Sequence, residues 1–166
     1  MGAIDISKSL YFVIPGEPLG YRTASAKGYN KTSARVWEFY NRVRHVVTSC
    51  DVPCPLWASK DFPLFFITKA YYTNGHHCDP ENTHKGIKDA LFWKGKNAKG
   101  IHVSGSGAGD KFTSGLYCDP FYDHSWPRVE LWIAGHITRK YSHLPNIVDT
   151  PSFVDVLTKE KVYDYE

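Results

Sequence analysis

Asp79-Pro80-Glu81-Asn82, followed on the same stretch by Lys85, Asp89 and Leu91, gathers acids and an amine at spacings that can hold a divalent ion. About twenty residues later, Gly109-Asp110-Lys111 offers one more carboxylate. Hard cations such as Mg2+ select oxygen ligands and keep several waters. A catalytic site therefore supplies two or three carboxylates on a rigid element and leaves the remaining positions to water and phosphate. Asp79 and Glu81 suit that role, and Asp110 would complete the set. Lys85, one turn beyond Glu81, is spaced to neutralise charge that develops on a phosphate. The same residues also have an ordinary reading. Asp-Pro-Glu opens a plain capped helix, Glu81, Lys85 and Asp89 form an i,i+4 ladder, and an acid in a glycine-rich loop is a turn residue.

The elements that must position these groups follow from periodicity and punctuation. Leu10 to Ile14 is a short apolar run stopped by Pro15-Gly16-Glu17-Pro18, which predicts a strand and a turn. From Thr32 or Ser33, Val36, Phe39 or Tyr40, Val43 and Val47 recur at helical spacing to about Thr48, with Arg35, Arg42 and Arg44 on the opposite face. Residues 50 to 63 form a connection, and Leu64 to Tyr72 is a second strand. Cys78-Asp79-Pro80-Glu81 is a helix start, with Asp as cap, Pro at the first helical position and acid in the first turn. That helix runs to about Phe92 and buries Ile87, Ala90 and Leu91. Lys94 to Gly109 holds five glycines; it reads as a long loop expected to order only when DNA or metal arrives. Arg128 to Ile133 alternates after Pro127 and is the most secure strand, with Gly115 to Tyr122 expected to pair with it as a hairpin. Phe153 to Leu157 reads as a short helix. The inventory predicts one α+β domain over residues 1–166: a two-layer sandwich of mostly antiparallel sheet against two main helices, with 137–166 an extension of unassigned role.

Composition narrows the class without naming it. The chain has 166 residues, 42% apolar, enough for one core and too few for two. Its formal charge of +3 is compatible with a polyanionic partner and decides nothing alone. No run approaches the roughly 20 apolar residues of a membrane span and no leader is recognisable, so an intracellular, soluble protein is expected. The cysteines are too few and irregular for a disulfide scaffold. Cys50, Cys54 and Cys78 with His76 and His77 keep a zinc module open as a minor alternative.

Four separated pieces, in order, resemble the RusA family of Holliday junction resolvases. They are Phe12-Val-Ile-Pro-Gly-Glu-Pro-Leu-Gly-Tyr-Arg22; the Asp79, Glu81, Asn82, Lys85, Asp89, Leu91 pattern; Asp110; and the strand from Pro127 to Ile133. The resemblance covers roughly residues 10 to 134. It implies the two-layer α+β fold and a Mg2+-dependent endonuclease, with Mn2+ as a substitute. It further implies a homodimer that nicks opposed strands of a four-way DNA junction in recombination and repair. Twofold symmetry suits a substrate with two equivalent strands to cut. By the same resemblance, Asp79, Glu81 and Asp110 are metal-binding catalytic acids and Lys85 contacts the phosphate, while Asp89 and Asn82 are accessory. The compartment expected is a bacterial host's cytoplasm or a viral replication compartment. The sequence departs from the pattern at Glu81, where Asp is commoner, and at His76-His77-Cys78, where basic residues often stand. The two histidines are otherwise read as a plain exposed turn.

Backbone phosphates dominate affinity for branched DNA, so Arg22, Lys27, Lys31, Arg35 and Lys111 are the candidate contacts. Tyr21, Tyr29 or Phe112 would be the rings able to wedge a branch point. Two alternatives remain open: a nuclease of the same fold that cuts flaps or forks, and a junction-binding protein without catalysis.

Overall fold

Val129, Leu131 and Ile133 are fully buried, and the strand that carries them, β5 (Arg128–Gly135), lies at the centre of the sheet. In the computed structural model, which describes residues 6–20, 31–48, 60–61, 63–92, 112–135 and 143–158, β5 is flanked by β1 (Lys8–Pro15) and β2 (Leu64–Tyr72). Both pair with it antiparallel, in registers such as Phe12↔Leu131 and Thr68↔Leu131. Three further strands complete a six-stranded sheet, namely β3 (Thr113–Tyr117), β4 (Phe121–Tyr122) and β6 (Ile147–Asp149). The main order is β3-β2-β5-β1-β6. The architecture is the expected α+β sandwich with a mostly antiparallel sheet.

The segment from Gly115 to Tyr122 departs from expectation. It does not form a hairpin with β5. Both β3 and β4 instead lie along the other edge of β2 and run parallel to it. Close backbone approach explains why β3 fits there: a Cβ on Gly115 would sit 2.0 Å from the Phe66 carbonyl oxygen. Glycine is required by contact rather than by backbone dihedral.

Two helices, α1 (Lys31–Thr48) and α2 (Pro80–Phe92), cover one face of the sheet. Alternate residues of three strands meet them there: Leu10, Phe12 and Ile14; Leu64, Phe66 and Tyr72; Val129, Leu131 and Ile133. The helices supply Phe39, Val43 and Val47 from α1 and Ile87, Ala90 and Leu91 from α2. Each buried Val, Leu, Ile or Phe among them contributes about 1.5–3 kcal/mol by leaving water. Arg42 and Arg44, expected on a solvent face, are half-buried ties instead. Arg44 Nε donates to the Ala90 carbonyl at 2.6 Å, satisfying one of the unpaired carbonyls at the end of α2, and Arg42 Nη2 donates to the Glu17 carbonyl at 3.1 Å.

The described part of the extension has a structural role. β6 pairs with β1, and a short helix, α3 (Phe153–Thr158), lays Val156 and Leu157 over the opposite sheet face beside Ile67, Tyr71 and Trp132. Among the described residues no helix is long and apolar enough to cross a membrane. The expected loop from Lys94 to Gly109 lies outside the described residues.

Candidate functional site at the mouth of the second helix

α2 begins as the sequence implies. The Asp79 carbonyl accepts from the amides of Asn82 (2.9 Å) and Thr83 (3.2 Å), so Asp79 is the capping residue, and Pro80 fills the first helical position without wasting a donor. The side chains of Asp79, Glu81 and Lys85 are exposed, and those of Asn82 and Asp89 are half-buried. Neither the Asp79 nor the Glu81 carboxylate has a hydrogen-bond or ion-pair partner among the described residues. Two exposed carboxylates at a helix N-terminus, favoured by the helix dipole, fit two positions of a hard-cation shell.

Asp110 lies outside the described residues, as do Arg22, Lys27 and Lys111 and the rings of Tyr21 and Tyr29. Lys31 is the first residue of α1, with its side chain outside them. Among the described residues, no three His, Cys, Asp or Glu side chains group as a metal site. Cys50 and Cys54 also lie outside. Phe112, a suggested wedge, is partly buried and packs against the main core.

Beside the helix mouth lies an open cleft of about 890 Å3, walled by Arg35 and Glu38 of α1 and by the stretch from Thr73 to Cys78. Arg35 is exposed on that wall, the one expected DNA contact whose side chain the structure places. Glu17 also lines the cleft, accepting from the Thr73 amide at 3.1 Å and from the Thr73 hydroxyl. Asn74 Oδ1 accepts from the His76 amide at 2.9 Å, which shapes the turn into α2.

Three buried or half-buried side chains near the start of α2 have partners that the sequence does not reveal. Tyr72, its hydroxyl 2.8 Å from Thr83 Oγ1, is buried, and burial raises its pKa well above the ordinary phenol range. His84 is buried against Thr68 through Nδ1, and burial, helped by Lys88, lowers its pKa to about 4. His77 was expected in a plain exposed turn, but it is half-buried and stacks on Tyr72. Its neighbour His76 is exposed. The hint in the sequence was the adjacency of His77 to the capping residue, which spacing alone does not distinguish from a surface turn.

A smaller cavity of about 430 Å3 opens on the opposite sheet face, lined by Tyr11, Lys69, Arg128, Glu130 and Trp132 and by α3. Its charges are largely matched within the protein. Lys69 lies opposite Glu130 in the β2–β5 register, and Arg128 is bonded to Asp123 at 3.0 Å and stacked 3.7 Å over Tyr71. The sequence matches no family model, and no curated protein matches it.

Proposed function

We propose that the chain is a Mg2+-dependent endonuclease that resolves four-way DNA junctions as a homodimer inside the cell. The observation that carries this reading is the pair of exposed carboxylates without a partner among the described residues, Asp79 at the cap and Glu81 in the first turn of α2, with Lys85 one turn along the same helix. The sequence resemblance supplies the substrate class and the third acid, Asp110.

The division of labour follows from the residue chemistry. Asp79 and Glu81 would hold the ion as oxygen ligands, joined by Asp110. A bound Mg2+ supplies Lewis-acid polarisation of the scissile phosphate and activation of the attacking water. Lys85 neutralises charge on the phosphate as it builds, and its effect is larger in the transition state than in the ground state. The positive end of the α2 dipole favours the same anion. Arg35, across the cleft, binds the backbone without reading bases. In a twofold dimer, two such mouths would face the two opposed strands.

The test is cleavage of end-labelled four-way junction, flap and linear duplex with and without Mg2+, by the wild type and by Asp79→Asn. Paired, symmetric nicks in the junction, dependent on Mg2+ and lost in Asp79→Asn with junction binding retained, are the expected result. Preferential cutting of the flap would remove the resolvase assignment. A wild type that binds junctions but cuts nothing in Mg2+ or Mn2+ would make the protein a binder.

A further inference from the structure

We infer that His77 and Tyr122 form a clamp that positions the mouth of α2, holding Asp79 where a divalent ion would be bound. This rests on the reading of that mouth as a metal site. His77 Nδ1 lies 2.7 Å from the Cys78 carbonyl oxygen, and Nε2 lies 2.8 Å from the Tyr122 hydroxyl. A carbonyl only accepts, so Nδ1 carries the proton; in the neutral ring Nε2 then accepts from the Tyr122 O–H. Both nitrogens are thus used, and the ring has one orientation. Its face is fixed too, lying flat on Tyr72 with centroids 3.9 Å apart and 14° between the planes.

These contacts converge on the residue immediately before the cap. Cys78 receives the His77 bond on its carbonyl, and its sulfur lies 3.2 Å from Thr83 Oγ1. Thr83 Oγ1 in turn bonds Tyr72, the ring under His77. Gly20 closes the other side: a Cβ there would lie 2.8 Å from both Cys78 Sγ and Asn82 Cβ. The chain leaving β2 is therefore tied to Tyr72, Thr83 and Tyr122 and packed against Gly20 before it reaches Asp79.

The clamp also gives β4 a purpose. Two residues are too few for a strand to matter alone, yet Tyr72↔Tyr122 pairing and the Asp123 amide on the Tyr72 carbonyl (2.9 Å) set Tyr122 beside His77. A ligand set must be held within about 0.5 Å of its working geometry, and supporting partners of this kind change metal affinity or activity by about 10–100-fold. His77 is a positioning residue, touching neither ion nor substrate.

Mn2+ titration of the full chain, followed by electron paramagnetic resonance, reads the clamp without turnover. Expected are a 10–100-fold loss of Mn2+ affinity in His77→Ala and a smaller loss in Tyr122→Phe. Junction cleavage should show a lower kcat at unchanged KM, and the Asn82 and Thr83 amides should exchange faster. His77→Asn keeps a donor at the Nδ1 position and should recover part of the affinity lost in His77→Ala. If His77→Ala does not fold, Tyr122→Phe and His77→Asn carry the test, because each leaves one arm of the clamp in place. Folded variants that bind Mn2+ as the wild type does would overturn the clamp alone. A wild type that binds no Mn2+ would overturn the metal site itself, and the clamp's function with it.

Discussion

Around the start of α2, acidic and imidazole groups meet two different environments. Asp79 and Glu81 face solvent, where an ion could reach them, while His84, only a few residues on, is buried against Thr68. Asp79→Asn keeps size and hydrogen-bonding capacity while removing the charge that the proposed metal site would use. It should lower junction cleavage by about 100-fold or more with little change in melting temperature, measured by single-turnover kinetics and calorimetry. His84 belongs to stability instead. Its folded pKa is near 4 against an ordinary 6.5, so the unfolded chain takes up this proton first as pH falls. Its contribution is complete above about pH 6.5 and is lost toward pH 4, up to about 3 kcal/mol. Melting temperature followed down that range should fall less steeply for His84→Gln than for the wild type; parallel curves would show that His84 carries no such linkage. At this scale the sequence was half legible. Asp79 and Pro80 announce a helix start by type and position, whereas the partners of His77 and His84 come from β2, β3 and β4, which local spacing does not reveal.

Elements with a clear period were read nearly to their ends. β5, β2 and both long helices follow from alternation or 3.6-residue spacing, and the capping signal located α2 to the residue. The edge strands were not legible in the same way. β3 and β4 sit parallel to β2 because Gly115 lets two backbones close to contact, a fact about the partner strand that no pattern within Gly115 to Tyr122 contains. Three-residue β6 is likewise too short for alternation to show. Gly115→Ala tests the edge directly. A methyl 2.0 Å from the Phe66 carbonyl oxygen cannot be relieved by a side-chain rotation, so β3 must move. A loss of about 2 kcal/mol or more in denaturant unfolding is expected, within the range of overpacking penalties. Wild-type stability in that variant would mean that β3 is not held against β2 as described. Arg42 and Arg44 teach a related lesson: their positions on α1 suggested a solvent face, but long stems let guanidinium groups reach carbonyls of neighbouring segments.

For the molecule as a whole, layer architecture was readable because sheet and helices share one apolar face, and period plus burial fixes which residues line it. What the described fold contributes to the proposed site is a platform: β2 and β3 lie against α2, and the mouth of that helix opens beside a cleft that Arg35 also lines. If two copies act on one junction, each strand is cut by one protomer's site. Heterodimers of wild type and Asp79→Asn, assembled from differently tagged chains, should then nick one strand and leave the opposed strand intact. Paired cuts by such heterodimers would mean that one site serves both strands. Resolution of a junction by this chain requires, first, that the three acids bind one ion. Anomalous scattering from crystals grown with Mn2+ tests it most directly. A peak should lie at about 2.0–2.2 Å from carboxylate oxygens of Asp79, Glu81 and Asp110 together; no peak at the mouth of α2, or one there with Asp110 far from it, would contradict the claim.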